Sequence, residues 1–151
     1  MKRILCLAAT TLAIGLMTTA THAQSGNLKL RFKVPFPFSV ENKTFSAGEY
    51  EVTKPARWSL MLRNVHTQSS AFETVRPSRH PAKVEGPKRL VFNRYGSRYF
   101  LVKVSDGSVE STYDLFKSKE EKPLADVTSG PRPNVVRVLS DGMIRPGDDG
   151  Q

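Results

Sequence analysis

Cysteine is almost missing from this 151-residue chain, and its one example, Cys6, lies in an N-terminal apolar run that reads as a cleavable leader. The mature chain therefore has no thiol, which removes disulfides, cysteine-rich zinc sites and cysteine nucleophiles together. Stability must come from packing alone. Histidine is nearly as scarce: beyond the leader stand only His66 and His80, and neither has Asp, Glu or a second His at ligand spacing, so no metal site is expected. No Ser sits in a Gly-x-Ser-x-Gly turn and no glycine loop could cradle a phosphate, so no catalytic residue, cofactor-binding residue or cofactor is expected. Asp106, Glu110 and Asp114 fall close together, but a turn and outward strand positions account for them without a glycosidase pair. No internal repeat is visible.

Long apolar runs are absent beyond the leader. Met1-Lys2-Arg3 supply a positive start, Ile4 to Thr19 form a short uncharged run, and Thr21 and Ala23 occupy the two small positions of a cleavage site, with Ala20 as a fallback. The pattern predicts a signal peptide over 1–23, with a retained anchor as the alternative. An exported chain follows, periplasmic or secreted, with no transmembrane span after cleavage. The remaining 128 residues are long enough for one core and short for two. They are read as a β domain over 24–140 and a disordered tail over 141–151, where apolar groups are too few to offset the entropy of ordering.

Acidic residues are unevenly missing. Without Lys2 and Arg3 the chain carries 21 basic and 14 acidic groups, a formal charge of +7. Residues 76–103 hold eight basic groups against Glu85 alone, for +7, whereas 24–75 carries +3 and 104–151 carries −3. Such a concentration predicts an anionic partner, and for an exported protein that means an envelope polymer, a lipid headgroup or an acidic protein rather than nucleic acid.

What is abundant is dyad patterning. Leu28, Leu30, Phe32, Val34, Phe36, Phe38 and Val40 alternate with Lys29, Arg31, Lys33, Pro35, Pro37 and Ser39, the signature of a strand with one buried face. Pro35 and Pro37 place it at an edge or a bend, because neither can donate a ladder hydrogen bond. Further strands are expected from Ala47-Gly48 through Val52, along Trp58 to Arg63 with Trp58 as a core anchor, and over Ala71 to Val75. Pro77 to Pro87 reads as a loop. Asp106-Gly107 is a turn, Val109 to Tyr113 a strand, and Val135 to Leu139 a last strand after a linker-like stretch from Ser129 to Pro133. One short helix is expected near 114–121, capped by Asp114 or by Ser118 with Glu121, and cut short by Pro123. The fold class is all-β: a small sandwich or barrel of seven to eight mostly antiparallel strands.

Lys88 to Val104 is the strongest hairpin, turning at Gly96-Ser97. A two-residue type II′ turn would pair Tyr95 with Arg98. A three-residue loop would pair Tyr95 with Tyr99 and gather Leu90, Phe92, Phe100, Val102 and Val104 on one face. Either way the opposite face is also apolar and needs a cover from another sheet, a terminal segment or a partner. Cations interleave with aromatics here, so Lys88, Arg89, Arg94 and Arg98 are the candidate anion-binding residues, and Tyr95 and Tyr99 the candidate stacking faces for a sugar or headgroup. Ordinary hairpin packing with solvated cations is the simpler reading.

Three phrases resemble a family of small exported β-proteins found chiefly in acidobacteria: Val34-Pro35-Phe36-Pro37-Phe38, Ala47-Gly48-Glu49-Tyr50, and Leu90-Val91-Phe92-Asn93-Arg94-Tyr95-Gly96 running into Tyr99-Phe100-Leu101. The resemblance covers roughly Val34 to Ser118 and implies a signal peptide and a compact β-fold, with no established ligand or activity. Asn93 stands where a histidine is common in the family, and the extension past Pro123 is a further departure, so no histidine chemistry is carried over. The expectation is a non-catalytic exported β-domain that binds an anionic envelope component or protein partner through 76–103. The alternatives are a carrier of a small apolar ligand in a barrel, and an extracytoplasmic enzyme.

Overall fold

The structure is a computed structural model and describes residues 28–80, 85–126 and 133–146. The leader and its cleavage site, residues 129–132 of the linker-like stretch and the last five residues lie outside these.

The seven alternating apolar residues of the first segment do face one way, but proline divides the strand. β1 (Lys29–Val34) ends at Pro35, and after Pro37 the chain resumes as β2 (Phe38–Val40), which turns through Glu41 at φ 54° into β3 (Lys43–Phe45). Extended proline keeps the alternation while removing ladder donors, so the buried face survives the break. β1 takes the edge of the sheet, as the prolines required, and pairs with β4 (Gly48–Ala56). β5 (Ser59–Asn64) and β6 (Ser70–Pro77) continue the meander. β7 (Arg89–Tyr95), β8 (Arg98–Ser105) and β9 (Thr112–Leu115) follow, and β10 (Asn134–Leu139) pairs with β7. β11 (Ile144–Pro146) then folds back on β10.

All belong to one sheet of order β1-β4-β5-β6-β9-β8-β7-β10-β11, with β2 added in parallel to β8 and β3 beside it, and the sheet curls into a half-barrel. The class is all-β and mostly antiparallel, and of the two expected architectures, sandwich or barrel, the single curled sheet takes the second in half-closed form. Eleven strands appear among the described residues rather than seven or eight. The surplus has local causes: the proline break, the Glu41 turn, and a last strand at 144–146 inside the stretch read as a disordered tail. There Ile144 pairs with Val138 across a turn at Gly142, so ladder bonds supply what apolar content does not.

The concave face holds the core. Leu30, Phe32 and Val34 pack with Tyr50, Val52, Leu60, Leu62, Leu90, Phe92, Leu101 and Val138. Trp58 is not part of it: the ring is 49% exposed on the β4–β5 turn with the Arg57 guanidinium 5.1 Å from its centre. Alternation from Leu60 and Leu62 had placed it inside, but the tight turn of Arg57 and Trp58 takes that residue out of the strand and releases it.

The hairpin adopts the two-residue turn, pairing Tyr95 with Arg98, with Gly96 at φ 63° and Ser97 outside the positive-φ region, the type II′ pattern. A bulge then skips Val102, so that Phe92 opposes Leu101 and Leu90 opposes Val104. Without that extra residue Lys103 would face the core beside Leu90. With it, Lys103 points outward to Asp114 at 3.6 Å. Phe100 thus leaves the face shared by Leu90 and Phe92, yet stays buried on the other side beside Tyr95.

The start of the short helix meets part of that second face. β9 occupies 112–115, displacing both the strand expected at 109–113 and the helix expected near 114–121, and α1 runs over Glu121–Asp126 instead. Ser118 is its cap: the Glu121 N–H donates to Ser118 Oγ at 3.0 Å. Pro123 does not end it, because near a helix start few N–H groups have an intrahelical acceptor to lose. Glu121, 1% exposed, accepts from Asn93 Nδ2 at 2.7 Å and from the Tyr95 hydroxyl at 3.5 Å, while Glu120 pairs with Arg98. Ser118→Ala should lower stability by about 1 kcal/mol, read as a lower urea midpoint with an unchanged slope. A change under a few tenths would mean that the cap does not hold this segment.

Candidate functional site

The hairpin cations do not converge. Lys88 and Arg89 stand at one end of β7 and Arg94 at the other, about 17 Å away at ~3.4 Å per residue. Arg89 is half-buried, and burial together with the neighbouring Arg137 charge disfavours its protonated form. Arg94 donates from Nε to the Gly96 carbonyl at 2.7 Å and lies over the Tyr99 ring at 5.5 Å. Arg98 is held by Glu120 and lies 5.1 Å from the Phe100 ring. The two tyrosines face opposite sides: Tyr95 joins Phe100 and Glu121, and Tyr99 stacks on Phe36 at 3.9 Å. Burial raises the Tyr95 hydroxyl pKa, and the Glu121 charge adds to it. Acids from the C-terminal third therefore engage part of the middle segment's charge: Glu120 with Arg98, Asp114 with Lys103.

A different set of cations does meet. Lys117 and Lys119, on the segment linking β9 to α1, and Lys122 in the first turn of α1 line one wall of a cleft of about 250 Å³. The other wall is Glu41 and Asn42 of the β2–β3 turn with Glu73 of β6. Two phenylalanines flank it, Phe72 at 63% and Phe116 at 54% exposure, and the Arg76 guanidinium lies 5.2 Å from the Phe116 ring.

Glu73 is the unusual group. Leu60 is its β5 partner, so it shares the concave face with Val75 and is 8% exposed. Its side chain also borders a small pocket of about 10 Å³ lined by apolar residues such as Val52, Leu62 and Leu101. Oε1 is buried and has no hydrogen-bond partner. Burial pushes this carboxyl up to about 7, and the Glu41 charge adds to the rise. A lone acid on an apolar face is expensive, and such groups concentrate at functional sites.

Among the described residues the other two buried acids, Glu51 and Glu121, are hydrogen-bonded. Glu51 on the convex face of β4 is also buried, which raises its pKa. Hydrogen bonds from Arg63 and Lys29 and their charges outweigh burial and hold it below the usual value. Glu121 is raised by burial, opposed by the Asn93 hydrogen bond and the Lys117 charge.

Neither histidine lines the cleft. His66 lies near Glu49 at 3.9 Å, and His80 is exposed in the loop after β6. Among the described residues no three His, Cys, Asp or Glu side chains come together as a metal-holding group. No described helix is long and apolar enough to cross a membrane.

The sequence reading missed the cleft because 104–151 is net acidic, which hid the spacing of Lys117, Lys119 and Lys122 beside Phe116. Summed charge per segment obscures a local cluster; the three lysines within six residues were the available signal. Comparisons of the chain with protein-family models, with curated proteins and with solved structures give no match.

Proposed function

We propose that the mature chain is an exported, non-catalytic binding domain that holds an anionic envelope component in the cleft beside Glu73. One observation carries the reading: Lys117, Lys119 and Lys122 converge on a single concavity, whereas the hairpin cations are spread over the sheet or held by neighbours. Exposed Phe72 and Phe116 add apolar contact at the rim, so the anion is best borne by an amphipathic molecule. Carriage of an apolar ligand inside the barrel has less support, since a pocket of about 10 Å³ is smaller than any such ligand.

Calorimetry with ethyl phosphate at low salt tests the reading. Replacing the three cleft lysines by Gln should weaken binding about tenfold or more, at a few tenths to ~1 kcal/mol per exposed charge contact. Arg94→Gln with Arg98→Gln should leave it unchanged. Failure of the wild-type chain to bind, or equal loss in the hairpin double variant, would overturn the assignment.

A further inference from the structure

The cleft is charged with both signs, and the two signs do not neutralise each other. Glu41 and Glu73 stand on one wall and Lys117, Lys119 and Lys122 on the other, yet no ion pair within 4.0 Å joins them. Glu73 is more than nine-tenths buried, borders the cleft, and has a carboxyl oxygen with nothing to accept from or donate to. An anion alone would satisfy the lysines and do nothing for the Glu73 carboxyl. It would also add negative charge to a space that already holds two acids. A ligand with a donor cation opposite its anion satisfies both walls.

We infer that the cleft takes an aminoalkyl phosphate, its phosphate against Lys117, Lys119 and Lys122 and its ammonium against the carboxyl of Glu73, an assignment that rests on the anion-binding reading above. The size agrees. About 250 Å³ is below the ~300–1,000 Å³ of sites for drug-sized ligands and fits a headgroup of two charged ends on a two-carbon link. The groups facing Glu73 are consistent as well: Leu60 beside it on β5 is apolar, Glu41 from the β2–β3 turn is negative, and the positive groups belong to the far wall. An ammonium brought to this carboxyl from the cleft would meet a group that burial and Glu41 hold partly protonated at neutral pH. Binding would ionise it and release a proton.

The same aminoalkyl phosphate chemistry occurs free in solution and as a lipid headgroup, so the test has arms for each. The chain is titrated at pH 7 with O-phosphoethanolamine and with ethyl phosphate, and its capture on phosphatidylethanolamine vesicles is measured by sedimentation. O-phosphoethanolamine should bind at least tenfold more tightly than ethyl phosphate. Its binding enthalpy should vary with the ionisation enthalpy of the buffer, reporting the released proton. Glu73→Gln should abolish both the preference and the proton release while ethyl phosphate binds no more weakly than before, and Glu41→Gln should retain part of the preference. Vesicle capture alongside this pattern assigns the ligand to a lipid headgroup, and its absence assigns it to the free molecule; both support the inference. Equal affinity for the two soluble probes, or a preference that survives Glu73→Gln, overturns it and leaves anion binding standing. If neither probe binds, both readings fall.

Discussion

Glu73→Gln is expected to make the chain more stable at pH 8 by about 3 kcal/mol while changing little at pH 4. Unfolded, this carboxyl titrates near its ordinary 4.5, and in the folded chain at about 7. Between those values the folded state binds more protons than the unfolded state, so stability falls as pH rises. Below 4.5 both states are protonated and the difference is absent; above 7 both are ionised and the cost is complete. Two and a half units at ~1.4 kcal/mol each give the magnitude. Gln keeps the shape but carries no charge, so its stability lacks this contribution. Glu121 is raised by burial in the same direction, which is why the difference between the two proteins, rather than the wild-type profile alone, isolates Glu73. Urea unfolding at pH 4, 6 and 8 checks it. A difference that stays constant across the three would mean that the carboxyl is not charged at any cost in the folded chain.

That expense was not legible in the sequence, and β6 shows why. Ser70 to Val75 offers two alternating sets, Phe72 with Thr74 and Ala71 with Glu73 and Val75. Hydrophobicity alone would bury the phenylalanine. The choice is made by pairing: Leu60 and Leu62 of β5 face the core and oppose Glu73 and Ala71, so register forces the acid inward and Phe72 outward. A local rule broken by long-range pairing is where a functional group is expected. The first strand behaves oppositely. Its seven alternating residues span two strands, yet all face one way, because burial of one face is specified residue by residue and survives a backbone break. The hairpin lies between these cases. Gly96-Ser97 announced the turn, but the bulge at Val102 depends on keeping Lys103 away from the core, which no pattern within the hairpin reveals. Ser118 and Glu121 announced a cap. What α1 covers could be known only once Asn93 and Tyr95 were seen beneath it.

The largest loss of stability is expected from Phe38→Ala, about 3–5 kcal/mol, a large part of the 5–15 kcal/mol available to a domain of this size. Phe38 is fully buried at the point where four strands meet, its ring 5.5 Å from Phe45 of β3, 5.0 Å from Tyr50 of β4 and 5.3 Å from Phe92 of β7. Truncation removes transfer energy and leaves a cavity that three aromatic rings, fixed in different strands, cannot collapse to fill. Phe36, two residues earlier, is the internal comparison. It is half-buried and stacks on Tyr99, so Phe36→Ala should cost distinctly less. Denaturant midpoints at a common pH separate the two, and a Phe38→Ala cost under about 1 kcal/mol would remove β2 from the core. The functional consequence follows from topology. β2 joins the sheet through one parallel partner, Ser39 with Phe100, and carries β3 and the Glu41 turn that forms a wall of the cleft. With so few ladder bonds, side-chain packing at Phe38 is what fixes that wall. Phe38→Ala should therefore reduce the preference for O-phosphoethanolamine over ethyl phosphate even where the chain remains folded, whereas Phe36→Ala should not. An unchanged preference in a folded Phe38→Ala chain would show that the wall is held by the backbone alone.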